Sequence, residues 1–165
     1  MEINDAFQSQ LDICHTNLKT GIDQLRYELA TKGLSKTPAG TDIFIDQSID
    51  LLSKETLQAL NEIRASIYKP KEWEPVRTLL TQFIDGQCKW LADFLVNEWG
   101  QPSSQILNQI NLVKSSIKNE TSLYIDNQKI KLSKGEHLTK DLMKILIFGI
   151  AAGIVAFVLK LILSR

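Results

Sequence analysis

The sequence predicts a mainly α-helical protein, built as a cytoplasmic bundle of about four helices with a short β-hairpin and one C-terminal transmembrane helix. Three observations support this fold class. Apolar residues recur every three or four positions in four segments before residue 118, turn-forming residues separate these segments, and a long uncharged run lies near the end of the chain. We therefore divide the chain into a helical bundle domain at residues 1–118, a hairpin and basic juxtamembrane connector at 119–140, and a transmembrane anchor at 141–165.

The first predicted helix covers about residues 4–32, with Asn4 suited to its N-cap and Gly33 to its end. Its apolar residues alternate in steps of four and three, which places them on one face of a helix. That face fits either a bundle core or a coiled-coil partner, and we adopt the bundle core. Its members are Phe7, Leu11, Cys14, Leu18, Ile22, Leu25 and Leu29.

The second predicted helix follows a loop at residues 33–41 and is capped by Thr41 or Asp42. Thr56 fills the one position of its apolar stripe that lacks a large apolar side chain. Residues 53–55 are a candidate bend, and residues 43–45 could alternatively begin a strand. The stripe consists of Ile45, Ile49, Leu52, Leu60, Ile63 and Ile67.

The third predicted helix begins at Pro75, after a turn at residues 69–74, and runs to about Trp99. It is the most apolar segment of the predicted bundle, so we expect it at the centre of the core. Its expected core residues are Phe83, Trp90, Leu91 and Phe94. Trp73 precedes this helix, where an indole serves either as a lid on the core or as part of a recognition surface.

A fourth helix is predicted from Ser103, with a stripe of isoleucines and valine that ends at Ile117. After residue 118 the pattern changes. Residues 123–125 and 129–132 alternate like short strands, and Asp126 with Asn127 suits a tight turn between them. This segment is therefore predicted to form the β-hairpin.

The predicted anchor is centred on residues 145–159, which carry no charged or hydrogen-bonding side chain. With the flanking residues from Leu142 to Leu163, a helix would reach about 33 Å, enough to cross a bilayer with slight tilt. The alternative is a helix buried in a soluble core, for which a chain of this size offers little room. The residues assigned to the membrane anchor are Ile145, Phe148, Ile150, Val155, Phe157 and Leu159.

Charge is distributed unevenly although the net charge of the chain is zero. Residues 1–128 carry 12 basic and 17 acidic side chains, whereas residues 129–165 carry 7 and 2. The positive-inside tendency then places the N-terminal body in the cytoplasm, at a bacterial inner membrane or alternatively a mitochondrial outer membrane, and the first residues do not resemble a signal peptide. The basic juxtamembrane residues are Lys129, Lys131, Lys134, Lys140 and Lys144.

Small residues in the anchor suggest that it associates with other copies of itself. Gly149 and Gly153 are four residues apart, and Ala152 and Ala156 form a second small pair. This spacing lets two transmembrane helices approach closely. Lys160 near the end of the run either extends its ammonium group to the interface or, in an assembled ring, faces a pore.

No catalytic, cofactor or metal site is predicted. Cys14 and His15 are adjacent and diverge by about 100° on a helix, so they do not jointly face one ion. Cys88 lies in no recognisable catalytic motif, and no Gly-rich phosphate loop is present. The acidic charge of the predicted body argues against nucleic acid as a partner.

These features favour a non-enzymatic, tail-anchored, single-pass protein. Its expected partners are the lipid bilayer and either another protein or further copies of itself, with a homo-oligomer expected. The alternative hypothesis is a membrane-disrupting effector, such as a toxin or defence protein, whose associated anchors form a pore. Dye entry that depends on the anchor would distinguish the effector.

Overall fold

The computed structural model describes residues 3–100 and 103–163, with the side chains of residues 103, 105 and 136–163 left aside. These residues form four α-helices joined by short connections: α1 (Ile3–Thr31), α2 (Pro38–Arg64), α3 (Trp73–Asn97) and α4 (Ser103–Leu163). A single 3-10 turn at Pro70–Glu72 precedes α3. The prediction of a mainly helical bundle is confirmed.

Side-chain contacts between α1 and α3 show that these two helices run in the same direction. His15 on α1 is hydrogen-bonded to Gln87, and Arg26, eleven residues later, lies over the ring of Phe94 at 4.9 Å. Residue numbers therefore rise together along both helices. The same holds for α2 and α4, because Ser53 bonds to Glu120 and the later pair, Asn61 and Tyr124, also bonds. Helices adjacent in sequence are antiparallel, as in an up-down-up-down bundle.

The core runs along the centre of these helices. All seven apolar residues predicted for the first helix are buried, and Thr56 fills its position in the α2 stripe without exposure, as predicted. At one end of the bundle, Phe44 packs between two aromatic rings, with its centroid 5.6 Å from that of Phe94 and 4.7 Å from that of Trp99. These aromatic contacts join α2 to the end of α3.

Helix α2 begins earlier than predicted. Thr37, not Thr41 or Asp42, is its N-cap: the Thr37 Oγ1 accepts a 3.0 Å hydrogen bond from the N–H of Gly40, and Pro38 occupies the first helical position. The helix then continues to Arg64 without a break at residues 53–55, and residues 43–45 are helical. A threonine before a proline was the stronger cap signal, because proline is tolerated in the first turn.

The entry into α2 depends on the missing side chain of Gly40. A Cβ there would overlap the carbonyl oxygen of Leu34 and lie 2.9 Å from its carbonyl carbon. We expect Gly40→Ala to destabilise the protein by about 1–3 kcal/mol, because backbone atoms must move to make room. Gly86→Ala is the matched control: Gly86 is an exposed position within α3 with open space around it, so alanine should stabilise the helix by about 1 kcal/mol.

Thermal unfolding of the full-length protein in detergent, followed by circular dichroism at 222 nm, measures both glycine substitutions. The expected signs are opposite. A Gly40→Ala variant that melts at or above the wild-type temperature would show that the connection between α1 and α2 is not closely packed.

Helix α3 begins at Trp73, two residues before the predicted Pro75. Trp73 is fully buried, which confirms the interpretation of this indole as part of the core rather than of a recognition surface. Among the other residues expected at the centre, Leu91 is buried, whereas Phe83, Trp90 and Phe94 are half-buried and pack against the core from its side.

The predicted β-hairpin is wrong, because residues 123–132 lie within α4 and the described residues contain no strand. Thr121 and Gln128 interrupt the apolar period in the sequence, yet both are buried on the core face between Ile117 and Leu132. The hydroxyl of Thr121 donates to the carbonyl of Ile117 at 2.8 Å, so it is satisfied inside the helix. The helix α4 therefore continues without a break through residues 123–132, where alternating polar and apolar residues had suggested strands.

Among the described residues, no helix has the length and apolar character needed to span a membrane. The predicted anchor residues at 145–159 lie outside the described side chains. The transmembrane anchor therefore stays a prediction from the sequence.

Candidate interaction surface

Helix α4 exposes three large apolar side chains on the face that points away from the core. Leu112, Leu123 and Ile130 are 75%, 65% and 52% exposed. Leu112 and Ile130 are separated by 18 residues, or five turns at 3.6 residues per turn, and Leu123 lies within about 20° of both around the helix axis. The three side chains consequently form one line along the surface of α4.

The positions between them are polar but uncharged. Ser116, Asn119 and Asn127 occupy the same face and are exposed. We call the six residues Leu112, Ser116, Asn119, Leu123, Asn127 and Ile130 the α4 stripe. Over this length, the charged side chain nearest to the stripe is Asp126, about 40° from the line through Leu112 and Ile130, and it is paired with Arg77 of α3.

Four charged side chains of α4, Lys114, Lys118, Asp126 and Lys129, pair with residues of α3. Asp85 accepts a 2.7 Å hydrogen bond from Lys118 and lies 3.5 Å from Lys114. Two further ion pairs, Arg77 with Asp126 and Glu74 with Lys129, follow toward the start of α3. We call these two pairs, together with those of Asp85, the α3–α4 ladder. The hydrogen bond from Lys118 lowers the pKa of Asp85, and the one from Lys129 lowers the pKa of Glu74.

The predicted juxtamembrane lysines differ in whether they form an ion pair with the bundle. Lys129 is drawn into the bundle by its pairing with Glu74. Lys131 and Lys134 are exposed and form no ion pair within the described residues. Lys140 and Lys144 lie outside the described side chains.

The small residues that are predicted to pack one anchor helix against another also lie outside the described side chains. These are Gly149, Ala152, Gly153 and Ala156. The candidate pore residue Lys160 lies outside them as well.

The two cysteines are buried, and their thiols have raised pKa values. Burial raises the pKa of the Cys14 thiol to about 12, with the nearby Glu55 carboxylate adding to the effect, and burial raises that of Cys88 to about 11. Because the thiolate is the reactive form, neither cysteine is suited to nucleophilic attack at neutral pH.

The polar groups around the cysteines are engaged with one another. His15 Nδ1 lies 3.0 Å from Gln87 Oε1, and the Asn17 amide donates to Glu55 at 2.9 Å. In the part of the chain with described side chains, no group of three or more His, Cys, Asp or Glu residues is arranged to hold a metal ion.

The α4 stripe was not predicted from the sequence, because its apolar residues do not belong to the period that builds the core. The signal was present as a second, weaker period: Leu112, Leu123 and Ile130 do not fit the line through Ile110, Ile117 and Ile125. The predicted hairpin hid it by assigning two of these residues to strands.

Comparison of the chain with models of known protein families, with curated proteins and with solved structures gave no match.

Proposed function

We propose that this protein is a non-enzymatic, tail-anchored membrane protein that associates with further copies of itself along the α4 stripe. The observation that carries the proposal is the exposed, uncharged stripe on the same helix that continues toward the predicted anchor. The role of such a protein is to assemble its helical bundles side by side at the cytoplasmic face of a membrane.

A second copy fits the stripe better than an unrelated protein. Anchors inserted in the same membrane hold their α4 helices parallel, and a parallel two-fold arrangement brings each position opposite its own copy. Leu112, Leu123 and Ile130 would then pack against their counterparts, as apolar residues do along a coiled-coil seam. Asn119 and Asn127 would meet in pairs, where their amides can bond to each other and favour the parallel register.

The magnitudes explain why the anchor matters to this assembly. Covering the exposed part of one leucine or isoleucine contributes about 1 kcal/mol or slightly more, so the six side chains of two stripes contribute roughly 6–9 kcal/mol. Association in solution costs about 4–15 kcal/mol in lost translational and rotational freedom. The stripe alone therefore gives weak association, and confinement to one membrane raises the effective concentration enough to make it stable.

Cysteine crosslinking tests the stripe directly in native membranes. Asn119→Cys places a thiol at its centre, whereas Leu107→Cys places one at a 48% exposed position on another side of α4. The native Cys14 and Cys88 are buried and should not contribute. We expect oxidation to give a disulfide-linked dimer for Asn119→Cys and much less for Leu107→Cys.

The decisive variant adds Leu123→Glu to Asn119→Cys, because two buried carboxylates would face each other across the seam. We expect a drop of at least tenfold in crosslinked dimer, while Leu107→Glu in the same background leaves it unchanged. Equal crosslinking with and without Leu123→Glu would contradict the proposal.

A further pair of substitutions separates the stripe from the anchor. Gly149→Ile with Gly153→Ile removes the small surface of the anchor and keeps its hydrophobicity. If this variant loses crosslinking and Leu123→Glu does not, association belongs to the anchor. Dye entry into expressing cells that disappears with the same variant would support the effector hypothesis instead.

A further inference from the structure

The turn between α2 and α3 lies beside the segment of α4 that leaves the bundle. Pro70 in this turn and five residues of α4 line one open groove of about 510 Å³; the α4 residues are Asp126, Lys129, Ile130, Ser133 and Lys134. The turn and these α4 residues therefore occupy the same end of the bundle. That end is the one from which α4 continues toward residues 145–159.

Four exposed lysines lie in the two segments that form this groove, and one of them, Lys134, lines it. Lys69 and Lys71 flank Pro70 in the turn, and Lys131 and Lys134 lie on α4. None of the four forms an ion pair within the described residues, in contrast to Lys129, whose ammonium group is paired with Glu74. Glu72 lies close enough to Lys69 and Lys71 for their charges to help lower its pKa, and Asp126 of the groove is paired with Arg77, so the four lysines leave a net positive charge at this end of the bundle.

The turn also presents an aromatic side chain to solvent. Tyr68 is 73% exposed, although its neighbour Ile67 is buried. Tyrosine is enriched where membranes meet water, because its ring suits the apolar part of the interface and its hydroxyl the polar part. An exposed tyrosine among lysines is therefore a combination that suits a lipid surface.

The backbone of the turn is held in place by Glu72. Its carboxylate accepts hydrogen bonds from the backbone N–H groups of Tyr68 and Lys69, both at 2.9 Å, and these bonds lower the pKa of Glu72. Pro70, which lies between Lys69 and Glu72, further restricts the backbone of the turn. Tyr68 and Lys69 are consequently displayed on a fixed turn, so binding orders only their side chains.

We propose that residues 68–71, together with Lys131 and Lys134, form a second membrane contact that binds the anionic phospholipid surface of the leaflet holding the anchor. The inference rests on the proposed function, because it takes the membrane to lie where α4 leads. It adds a defined orientation: the bundle stands with its α2–α3 end against the headgroups.

The spacing along α4 agrees with such a contact. Eight residues separate Lys134 from Leu142, where the predicted anchor begins, which is about 12 Å of helix. The headgroup layer occupies roughly 5–7 Å of that distance. The remaining gap is shorter than the Debye length of about 8 Å at physiological salt, so Lys134 acts on the lipid charge without strong screening.

Fluorescence quenching of the full-length protein tests this orientation. Ser66→Cys provides an exposed labelling site next to Tyr68, and Ser35→Cys provides one in the connection between α1 and α2 at the opposite end. Each labelled protein is reconstituted into vesicles that contain a quencher on the lipid headgroup. One set is phosphatidylcholine alone, and the other also contains phosphatidylglycerol.

We expect strong quenching of the label at residue 66 in the anionic vesicles only, and little quenching of the label at residue 35 in either set. One lysine near an anionic surface changes the bound population roughly fivefold, so Lys69→Gln with Lys71→Gln should lower the ratio of contacting to free bundles by roughly 25-fold. The charge-matched control, Lys32→Gln with Lys36→Gln at the opposite end, should leave it unchanged.

Vesicle flotation separates this proposal from the anchor on which it rests. The second contact would be overturned, and the anchor left intact, if the protein floats with both lipid compositions but is quenched equally in both. Quenching that does not change with Lys69→Gln and Lys71→Gln would have the same meaning. Protein that fails to float with either would overturn both. Crosslinking through Asn119→Cys in the same vesicles reports self-association separately.

Discussion

Replacing Trp73 by alanine is expected to lower the free energy of unfolding by about 3–5 kcal/mol. Trp73 is the largest fully buried side chain of the described residues, with 0% of its surface exposed, and its ring meets the edge of Tyr124 at 6.3 Å. It therefore fills the space between the start of α3 and the middle of α4. Since small domains are stable by about 5–15 kcal/mol, a large part of the available stability would be lost.

Urea unfolding of the full-length protein in detergent, followed by circular dichroism, measures this loss, and two variants serve as controls. The indole N–H of Trp73 has no hydrogen-bond partner among the described residues, so Trp73→Phe should cost much less than Trp73→Ala. Tyr68→Ala, at a largely exposed position, should change stability by no more than about 0.5 kcal/mol. Equal midpoints for Trp73→Ala and Tyr68→Ala would place the start of α3 outside the core.

Two arginines in the predicted anchor are expected to move the protein from the membrane fraction to the soluble or aggregated fraction. Each arginine near the centre of a spanning helix costs about 2.5–3.5 kcal/mol on insertion scales, so Ala152→Arg with Val155→Arg opposes insertion by roughly 5–7 kcal/mol. The matched control, Ala152→Leu with Val155→Leu, changes the same positions and keeps them apolar. Carbonate extraction followed by immunoblotting measures the distribution.

Wild-type protein and the leucine variant should resist carbonate extraction, and the arginine variant should not. If all three proteins are extracted equally, residues 145–159 do not span a membrane. In that case the proposed assembly and the lipid contact of the α2–α3 turn would both lose their foundation.

The helical bundle could be predicted from the sequence because its core residues recur with a regular period. In α1, every apolar residue that the three- and four-residue steps selected is buried, including Cys14. Regular spacing of this kind is typical of a helix that buries one face. The exact start of α2 is not set by this period, because Thr37 and Thr41 are both acceptable caps; the proline after Thr37 was the signal that distinguishes them.

The second half of α4 was mispredicted for a physical reason. A core stripe with polar residues at Thr121 and Gln128 lacks the apolar period that identifies a helix, and alternating lysines and apolar residues at 129–132 imitate a strand. Burial of Thr121 is permitted because its hydroxyl bonds within the helix. The α4 stripe became recognisable only when the packing partners of α4 were known, because exposure depends on what the other three helices cover.

The alternating signs of the α3–α4 ladder have a mechanical consequence. Glu74 and Arg77 of α3 face Lys129 and Asp126 of α4, so a slide of α4 by one turn along its axis would set Arg77 against Lys129 or Glu74 against Asp126. Either displacement replaces an attraction with a repulsion, and the buried side chains of α4 would also leave their places. The ladder and the buried side chains therefore favour one axial register of α4 against α3, with each of these partly exposed ion pairs contributing only weakly.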